Sequence, residues 1–188
     1  MNCRKIFLMG LVVFCSLNTL YASELEGTWI TDCIKNEQGY QRETMVNSGN
    51  NSAWKMEMAQ EGDCKSMLDV DIAVSFQIGP NSQMSPMAKE FDMILSKAIL
   101  TPKEAQVVQY LNMLKFCGIS NWKINQGQEI QGLVCGDKTM PKTGDPTYDL
   151  AMISGNQFYR GQFSEEFNGS TQEKRPQALN MEQPYMKQ

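Results

Sequence analysis

The residues of this sequence best suited to covalent chemistry are the four cysteines that follow residue 22. Cys33, Cys64, Cys117 and Cys135 are even in number, and none of them forms a Cys-x-x-Cys pair. In an exported chain such cysteines favour disulfide bonds over metal ligation. The sequence therefore predicts two disulfides in an oxidising compartment.

The pairing has to be inferred from the elements that carry the cysteines, because four cysteines allow three connectivities. Cys33 ends the first predicted strand and Cys64 lies in the turn after the third, so both can meet at one end of a barrel. Cys117 closes a predicted helix and Cys135 ends the next strand. We therefore predict the pairs Cys33–Cys64 and Cys117–Cys135. In the alternative, Cys33 pairs with Cys117 or Cys135 and ties the helix region to the first strand.

The 188-residue sequence contains no histidine. Histidine is the usual general base for serine and cysteine nucleophiles and the commonest ligand of zinc and copper. The sequence therefore predicts that the protein is not an enzyme and has neither a metal site nor a cofactor.

The candidate ligand-binding residues are Trp54, Met56 and Met58. They alternate with Lys55 and Glu57 in the predicted strand 52–60, so the three apolar side chains share one face. Such a stripe suits an adaptable apolar pocket. It is also what the plain inner lining of any β barrel requires.

The N-terminal residues have the pattern of an export signal. Arg4 and Lys5 precede the apolar stretch 6–20, and Ala22 provides a small residue at a cleavage site. We expect a signal peptide over residues 1–22 and a single mature domain over residues 23–188, located in the periplasm or outside the cell. The apolar stretch is shorter than the roughly 20 residues that span a bilayer, so no integral membrane segment is expected.

The formal net charge of the chain is −4, and removal of Arg4 and Lys5 with the signal would make the domain more acidic. An acidic surface without a local Lys/Arg cluster repels phosphate backbones and anionic lipids. Nucleic acid and membrane partners are therefore not expected, and the sequence indicates no particular protein partner.

Period-2 alternation dominates the chain after the signal. It is clearest in 65–79, where Val70, Ile72, Val74 and Phe76 share one face and the opposite face is expected to be solvated, including Asp69 and Asp71. The predicted strands are 25–33, 39–46, 52–60, 65–79, 91–100, 129–135, 146–153 and 157–163, with a further terminal strand within 175–187 as an option. The fold class is mostly β, an antiparallel eight-stranded barrel or strongly curved sheet with one mid-chain helix.

The helix is predicted over 102–116. Thr101 can cap it, Pro102 suits the first helical position, Glu104 can complete a capping box, and Gly118 ends it. Its buried stripe is expected to consist of Val107, Val108, Leu111 and Leu114.

The first strand carries two structural residues, Gly27 and Trp29. Trp29 is expected to point inward as a plug at one end of the barrel, while Gly27 lets another backbone or ring approach. The segment Gly27-Thr28-Trp29, followed by antiparallel strands, resembles the Gly-x-Trp opening of lipocalins and lipocalin-like barrels. That resemblance implies a cup-shaped barrel holding a small apolar ligand, with an arginine, Arg160 or Arg175, packed over Trp29. Lipocalins carry their helix after the barrel, whereas the helix predicted here lies mid-chain.

Two functions follow as hypotheses. The first is an exported lipocalin-like protein that binds a small apolar ligand in a barrel cavity. The second is a non-enzymatic structural or protein-interaction module of the cell envelope or exterior. A lined cavity of a few hundred Å3 would favour the first and a close-packed barrel the second.

Overall fold

The computed structural model describes residue 21, residues 23–36 and residues 39–188. The predicted export signal over residues 1–22 lies outside the described residues apart from Tyr21.

Eight antiparallel strands close into a barrel, which confirms the predicted fold class. All strands of the described chain, in order, are β1 (Gly27–Ile30), β2 (Ile34–Asn36), β3 (Gly39–Ser48), β4 (Asn51–Ala59), β5 (Leu68–Asn81), β6 (Lys89–Pro102), β7 (Gln128–Glu129), β8 (Val134–Cys135), β9 (Lys138–Thr139), β10 (Pro146–Ser154), β11 (Gln157–Arg160) and β12 (Tyr185–Lys187). The ring consists of β1, β3, β4, β5, β6, β10, β11 and β12.

Strand β1 closes the ring, because it pairs with a strand on each side. Trp29 lies opposite Met45 of β3 on one side and opposite Lys187 of β12 on the other. Both edges of β1 are therefore hydrogen-bonded, and closure removes the free edges that an open sheet would expose.

The predicted count of eight barrel strands is right, but the strand predicted over 129–135 is wrong. The chain turns between β7 and β8, where the N–H of Leu133 donates to the carbonyl of Ile130 and Gly132 has a φ of +74°. A left-handed glycine interrupts extended backbone. The eighth strand of the barrel is instead β12, which lies within the range 175–187 of the optional terminal strand.

A chain of aromatic rings fills part of the barrel interior. Trp29 is fully buried, and its Nε1–H donates to the carbonyl of Leu25 over 2.8 Å. Its ring centre lies 5.7 Å from that of Phe158, which also contacts Phe91 at 6.3 Å and Tyr185 at 5.6 Å. The predicted inward position of Trp29 is confirmed.

Helix α1 spans Ala105–Leu114, a shorter range than predicted. Thr101 and Pro102 do not start it, because both still pair with β5, opposite Asp69 and Leu68. The N-cap residue is Glu104, which makes no side-chain capping bond, so the predicted capping box is wrong. Pairing with β5 outweighs the local helix signal because it satisfies the backbone groups of these residues in an extended conformation.

The helix buries a narrower face than its sequence suggests. Leu111 is buried, and Val107 and Val108 pack partly buried against the core, but Leu114 is 51% exposed. The core contribution predicted for Leu114 is therefore wrong. Trp122, from the loop that follows, is buried there and exchanges two hydrogen bonds with the side chain of Asn112.

Both disulfides have the predicted pairing. The Cα atoms are 5.8 Å apart in Cys33–Cys64 and 4.1 Å apart in Cys117–Cys135. The first bridge ties the connection between β1 and β2 to the turn after β4, and the second ties the turn after α1 to β8. Loops of these lengths correspond to roughly 3–4 kcal/mol per bridge in the chain-entropy estimate.

Candidate ligand-binding site at the barrel mouth

A cavity of about 390 Å3 lies at the end of the barrel where β11 ends and β12 begins. We call it the mouth pocket. Its lining is Thr31, Ile34, Asn36, Gln41, Glu43, Arg160, Gly161, Gln162, Phe163, Asn180, Gln183 and Tyr185. Most of these side chains carry hydrogen-bonding groups, and two of them, Glu43 and Arg160, are charged.

Arg160 is held in the pocket by an ion pair with Asp149 inside the barrel. Its Nε and Nη2 atoms each lie 2.7 Å from Oδ2 of Asp149, which is fully buried. Oδ1 of Asp149 accepts the backbone N–H groups of Leu150 and Gly161 over 2.7 and 3.0 Å. The strands position the pair, since Asp149 lies opposite Phe91 on β6 and Arg160 lies opposite Ala151 on β10.

The protonation of this pair follows from two opposing effects. Burial raises the pKa of the Asp149 carboxyl, whereas Arg160 and the two backbone N–H groups favour the carboxylate. For Arg160, burial is the largest single effect and lowers the pKa, but Asp149, Tyr185 and Glu43 together raise it by more, so the net direction is upward. Both oxygens of Asp149 accept N–H hydrogen bonds, and these favour the ionised form of the pair at neutral pH.

A glycine permits this geometry. A Cβ atom on Gly161 would lie 2.5 Å from Oδ1 of Asp149 and 2.6 Å from Cβ of Pro176. Only a residue without a side chain allows the backbone N–H to approach the buried carboxylate so closely.

A second arginine, Arg175, contacts strand β10 from the outer side of the barrel. Nη1 of Arg175 donates to the main-chain carbonyl of Asp149 over 2.7 Å and lies 2.7 Å from Oδ1 of Asp92. Its Nη2 is 3.4 Å from Glu90, and its guanidinium lies over the Tyr148 ring. Arg175 thereby fastens the segment between β11 and β12, which supplies one wall of the mouth pocket, to the outside of the barrel.

The cation over Trp29 is Lys187 rather than an arginine. Its Nζ lies 5.1 Å from the Trp29 ring centre. The expectation that Arg160 or Arg175 covers Trp29 is therefore wrong. Lys187 reaches the ring because the register places it directly opposite Trp29.

The predicted ligand-binding residues lie beside the mouth pocket. The guanidinium carbon of Arg160 is 3.8 Å from the centre of the Trp54 ring. Met56 lies opposite Glu43 and Met58 opposite Gln41, so each methionine shares a face with a pocket-lining residue. Contact of Trp54, Met56 and Met58 with a ligand stays a prediction.

Glu43 is the second charged residue of the pocket. The Tyr185 hydroxyl donates to its Oε2, and Nε2 of Gln41 donates to Oε1 over 2.6 Å. The backbone N–H of Glu43 donates to Oγ1 of Thr31 over 2.9 Å. Burial is the main cause that raises the pKa of the Tyr185 phenol, and the neighbouring Glu43 raises it further.

Sequence reasoning missed the Asp149, Glu43 and Tyr185 contributions to this site. The sequence does contain an indication that Asp149 is buried, because Asp149 lies in β10 directly before the apolar residues Leu150 and Ala151. An acidic residue in an otherwise buried strand needs a partner. Glu43 and Tyr185 are 142 residues apart, and no local pattern joins them.

A second cavity, of about 760 Å3, lies along α1, and we call it the helix groove. It is lined by Met67, Leu68, Gln106, Val107, Tyr110, Leu111, Leu114, Lys115, Phe116, Cys117, Val134 and Gly136. Its lining is mainly apolar, in contrast to that of the mouth pocket.

The outer carboxylates of β5 form a structural cluster. Asp69 is only 4% exposed and pairs with Nζ of Lys55 at 3.2 Å and of Lys103 at 3.7 Å. The solvated position expected for Asp69 is wrong, because these side chains and Ser66 cover it. Asp71 is half-buried, and burial and the Asp69 charge raise its pKa.

No model of a known protein family matches this sequence, and no curated protein matches it. The similarity to lipocalins thus consists of the Gly27-Thr28-Trp29 opening and the closed eight-stranded antiparallel barrel. Across the described ranges, no group of three or more His, Cys, Asp or Glu residues is placed to hold a metal ion. The helices of the described residues include none that is long and apolar enough to cross a membrane.

Proposed function

We propose that this protein is an exported, non-catalytic, lipocalin-like binding protein that holds a small molecule in the mouth pocket. The observation that carries the proposal is the 390 Å3 cavity at the end of the closed barrel. A concave site with a few convergent polar groups on a rigid scaffold is the usual form of a small-molecule site. Two disulfides support export, since such bonds persist in oxidising compartments.

The lining favours a ligand with polar groups over the fully apolar ligand that the sequence suggested. Arg160 and Glu43 present charged groups, and Gln41, Asn180 and Gln183 add side-chain amides. A ligand without hydrogen-bonding groups would remove water from these atoms without replacing its hydrogen bonds.

Native mass spectrometry of the protein purified from its own source tests the proposal. We expect a retained small molecule to appear as added mass. Gln183→Trp should reduce the retained fraction, because an indole at this pocket-lining position takes up cavity volume. Gln172→Trp is the matched control, since Gln172 is exposed and does not line the pocket. Equal retention by both variants would contradict binding in the mouth pocket.

The helix groove favours the second candidate function, an interaction module. Tyr110, Leu114 and Val134 line it and are 57%, 51% and 61% exposed. Exposed apolar patches mark interaction sites in soluble proteins. Light scattering over a concentration series tests this function. Self-association that Leu114→Asp abolishes would support it, whereas a monomer at every concentration together with ligand retained at the mouth would favour the first function.

A further inference from the structure

We infer that the mouth pocket selects a small organic cation, such as a primary alkylammonium, and that the Glu43 carboxylate anchors it. This inference rests on the proposed function and specifies the class of ligand. It follows from the charges that line the cavity and from how each charge is already paired.

The positive charge in the pocket is already balanced. Arg160 places Nε and Nη2 on the fully buried carboxylate of Asp149, each at 2.7 Å. Its face also covers Trp54 at 3.8 Å. A guanidinium with a buried counter-ion and an aromatic ring against its face contributes little net attraction for an anionic ligand.

The negative charge of Glu43 is not balanced in the same way. Its hydrogen-bond donors, Gln41 and Tyr185, are both neutral. In the part of the chain that the structure describes, no Lys or Arg nitrogen forms an ion pair with Glu43 within 4.0 Å, although seven such pairs are formed elsewhere. Arg160 also attracts Glu43 electrostatically, but its single positive charge faces the two carboxylates Asp149 and Glu43, so the three groups carry a net charge of −1.

Glu43 retains acceptor capacity for a ligand. A carboxylate has about four lone-pair sites. Tyr185 and Gln41 occupy one on each oxygen. An ammonium group can take the remaining sites, and it would supply the positive charge that the partly buried carboxylate lacks.

The surroundings of the pocket add to the same preference. A neighbouring cavity of about 270 Å3 shares Ile34 and Gln183 with the mouth pocket and is lined by two further carboxylates, Asp32 and Glu182. Acidic groups around a cleft raise the local concentration of cations. The side-chain amides of Gln41, Asn180 and Gln183 supply acceptor oxygens for the remaining ammonium hydrogens.

Isothermal titration calorimetry with three probes of equal chain length tests the inference. The probes are butylammonium, butan-1-ol and butyrate, titrated into the full mature domain at neutral pH and low salt. We expect saturable binding of butylammonium with at least about tenfold higher affinity than either of the other probes, because only the ammonium can form an ion pair in the pocket.

Two variants and one control variant test whether the Glu43 carboxylate binds the ammonium group. Glu43→Gln should weaken butylammonium binding about tenfold or more, because it removes the charge but keeps an oxygen to accept from Tyr185. Glu57→Gln is the matched control, since Glu57 is an acidic residue of the adjacent strand that does not line the pocket and pairs with Lys55. Gln183→Glu changes an exposed residue and should tighten butylammonium binding, which keeps the test decisive if Glu43→Gln folds poorly.

The outcomes separate this inference from the proposed function. Preferential binding of butyrate or butan-1-ol at the mouth pocket would overturn the cation preference and leave the proposed function standing. Unchanged affinity in Glu43→Gln, or weaker binding in Gln183→Glu, would also overturn it. Failure of all three probes to bind, in a protein that retains no ligand in native mass spectrometry, would overturn both.

Discussion

The guanidinium of Arg160 lies over Trp54, with its central carbon 3.8 Å from the ring centre. A desolvated cation over an indole face contributes about 2 kcal/mol. This contact joins Trp54, the only aromatic residue among the predicted ligand-binding side chains, to Arg160, one of the two charged residues that line the mouth pocket. The Trp54 ring is therefore held in place by the same arginine that a ligand would meet.

The ion pair beneath this contact should matter strongly for stability. Asp149→Asn would leave Arg160 buried without its counter-ion, and we expect a loss of about 3–5 kcal/mol in the free energy of unfolding. Urea denaturation measures it. Asp137→Asn changes an exposed carboxylate between β8 and β9 and serves as the control. If both variants unfold at the same urea concentration, the pair does not stabilise the fold.

Gly161 should tolerate no side chain. In Gly161→Ala the new Cβ would lie 2.5 Å from Oδ1 of Asp149, so the carboxylate or the backbone must shift. We expect a loss of about 1–3 kcal/mol, measured by chemical denaturation. Gly62→Ala is a suitable comparison, because its nearest neighbour is a Tyr40 ring atom at 3.3 Å, which can move more easily. An equal effect in the two variants would argue against the close approach to Asp149.

Alkaline pH should destabilise the protein through Tyr185. Burial raises the pKa of this phenol in the folded state, so the unfolded chain releases the proton at a lower pH than the folded protein. Its contribution is therefore fully present below the ordinary tyrosine pKa of about 10 and is lost as the pH rises above that value. Thermal unfolding at a series of pH values from about 8 to 11 measures the trend. Tyr185→Phe should show a shallower decline, and an identical decline would contradict this assignment.

Trp29→Ala should remove a large part of the barrel core. Trp29 is fully buried against Phe158 and is covered by Lys187. Truncation of a buried aromatic residue costs about 3–5 kcal/mol, to be measured as the change in free energy of unfolding. Met113→Ala, at a side chain that is 72% exposed, provides the reference. If Trp29→Ala lost no more free energy of unfolding than Met113→Ala, Trp29 would not be a plug of the barrel.

Much of the barrel could be predicted from local sequence because five of its strands, β3, β4, β5, β6 and β10, are long enough to show an alternation. Val70 to Phe76 in β5 show the period of two that a half-buried strand requires. Trp29 and both disulfides could be predicted as well, since a bulky aromatic residue on a first strand needs an interior and the cysteines sit at the ends of predicted elements. These features depend on residue type and on neighbours in sequence.

The closure of the barrel and the site at its mouth were decided only by the tertiary structure. Strand β12 lies within the range 175–187 that the sequence offered as an optional strand, but its three residues are too few to show an alternation, and pairing with β1 and β11 is what makes it a barrel strand. Pro102 stays in β6 because β5 pairs with it, although its local sequence favours a helix. The pairing of Asp149 with Arg160 and of Glu43 with Tyr185 joins residues from different strands, which local periodicity does not record. Short strands and buried polar pairs acquire their stability from partners distant in sequence, so only the folded chain reveals them.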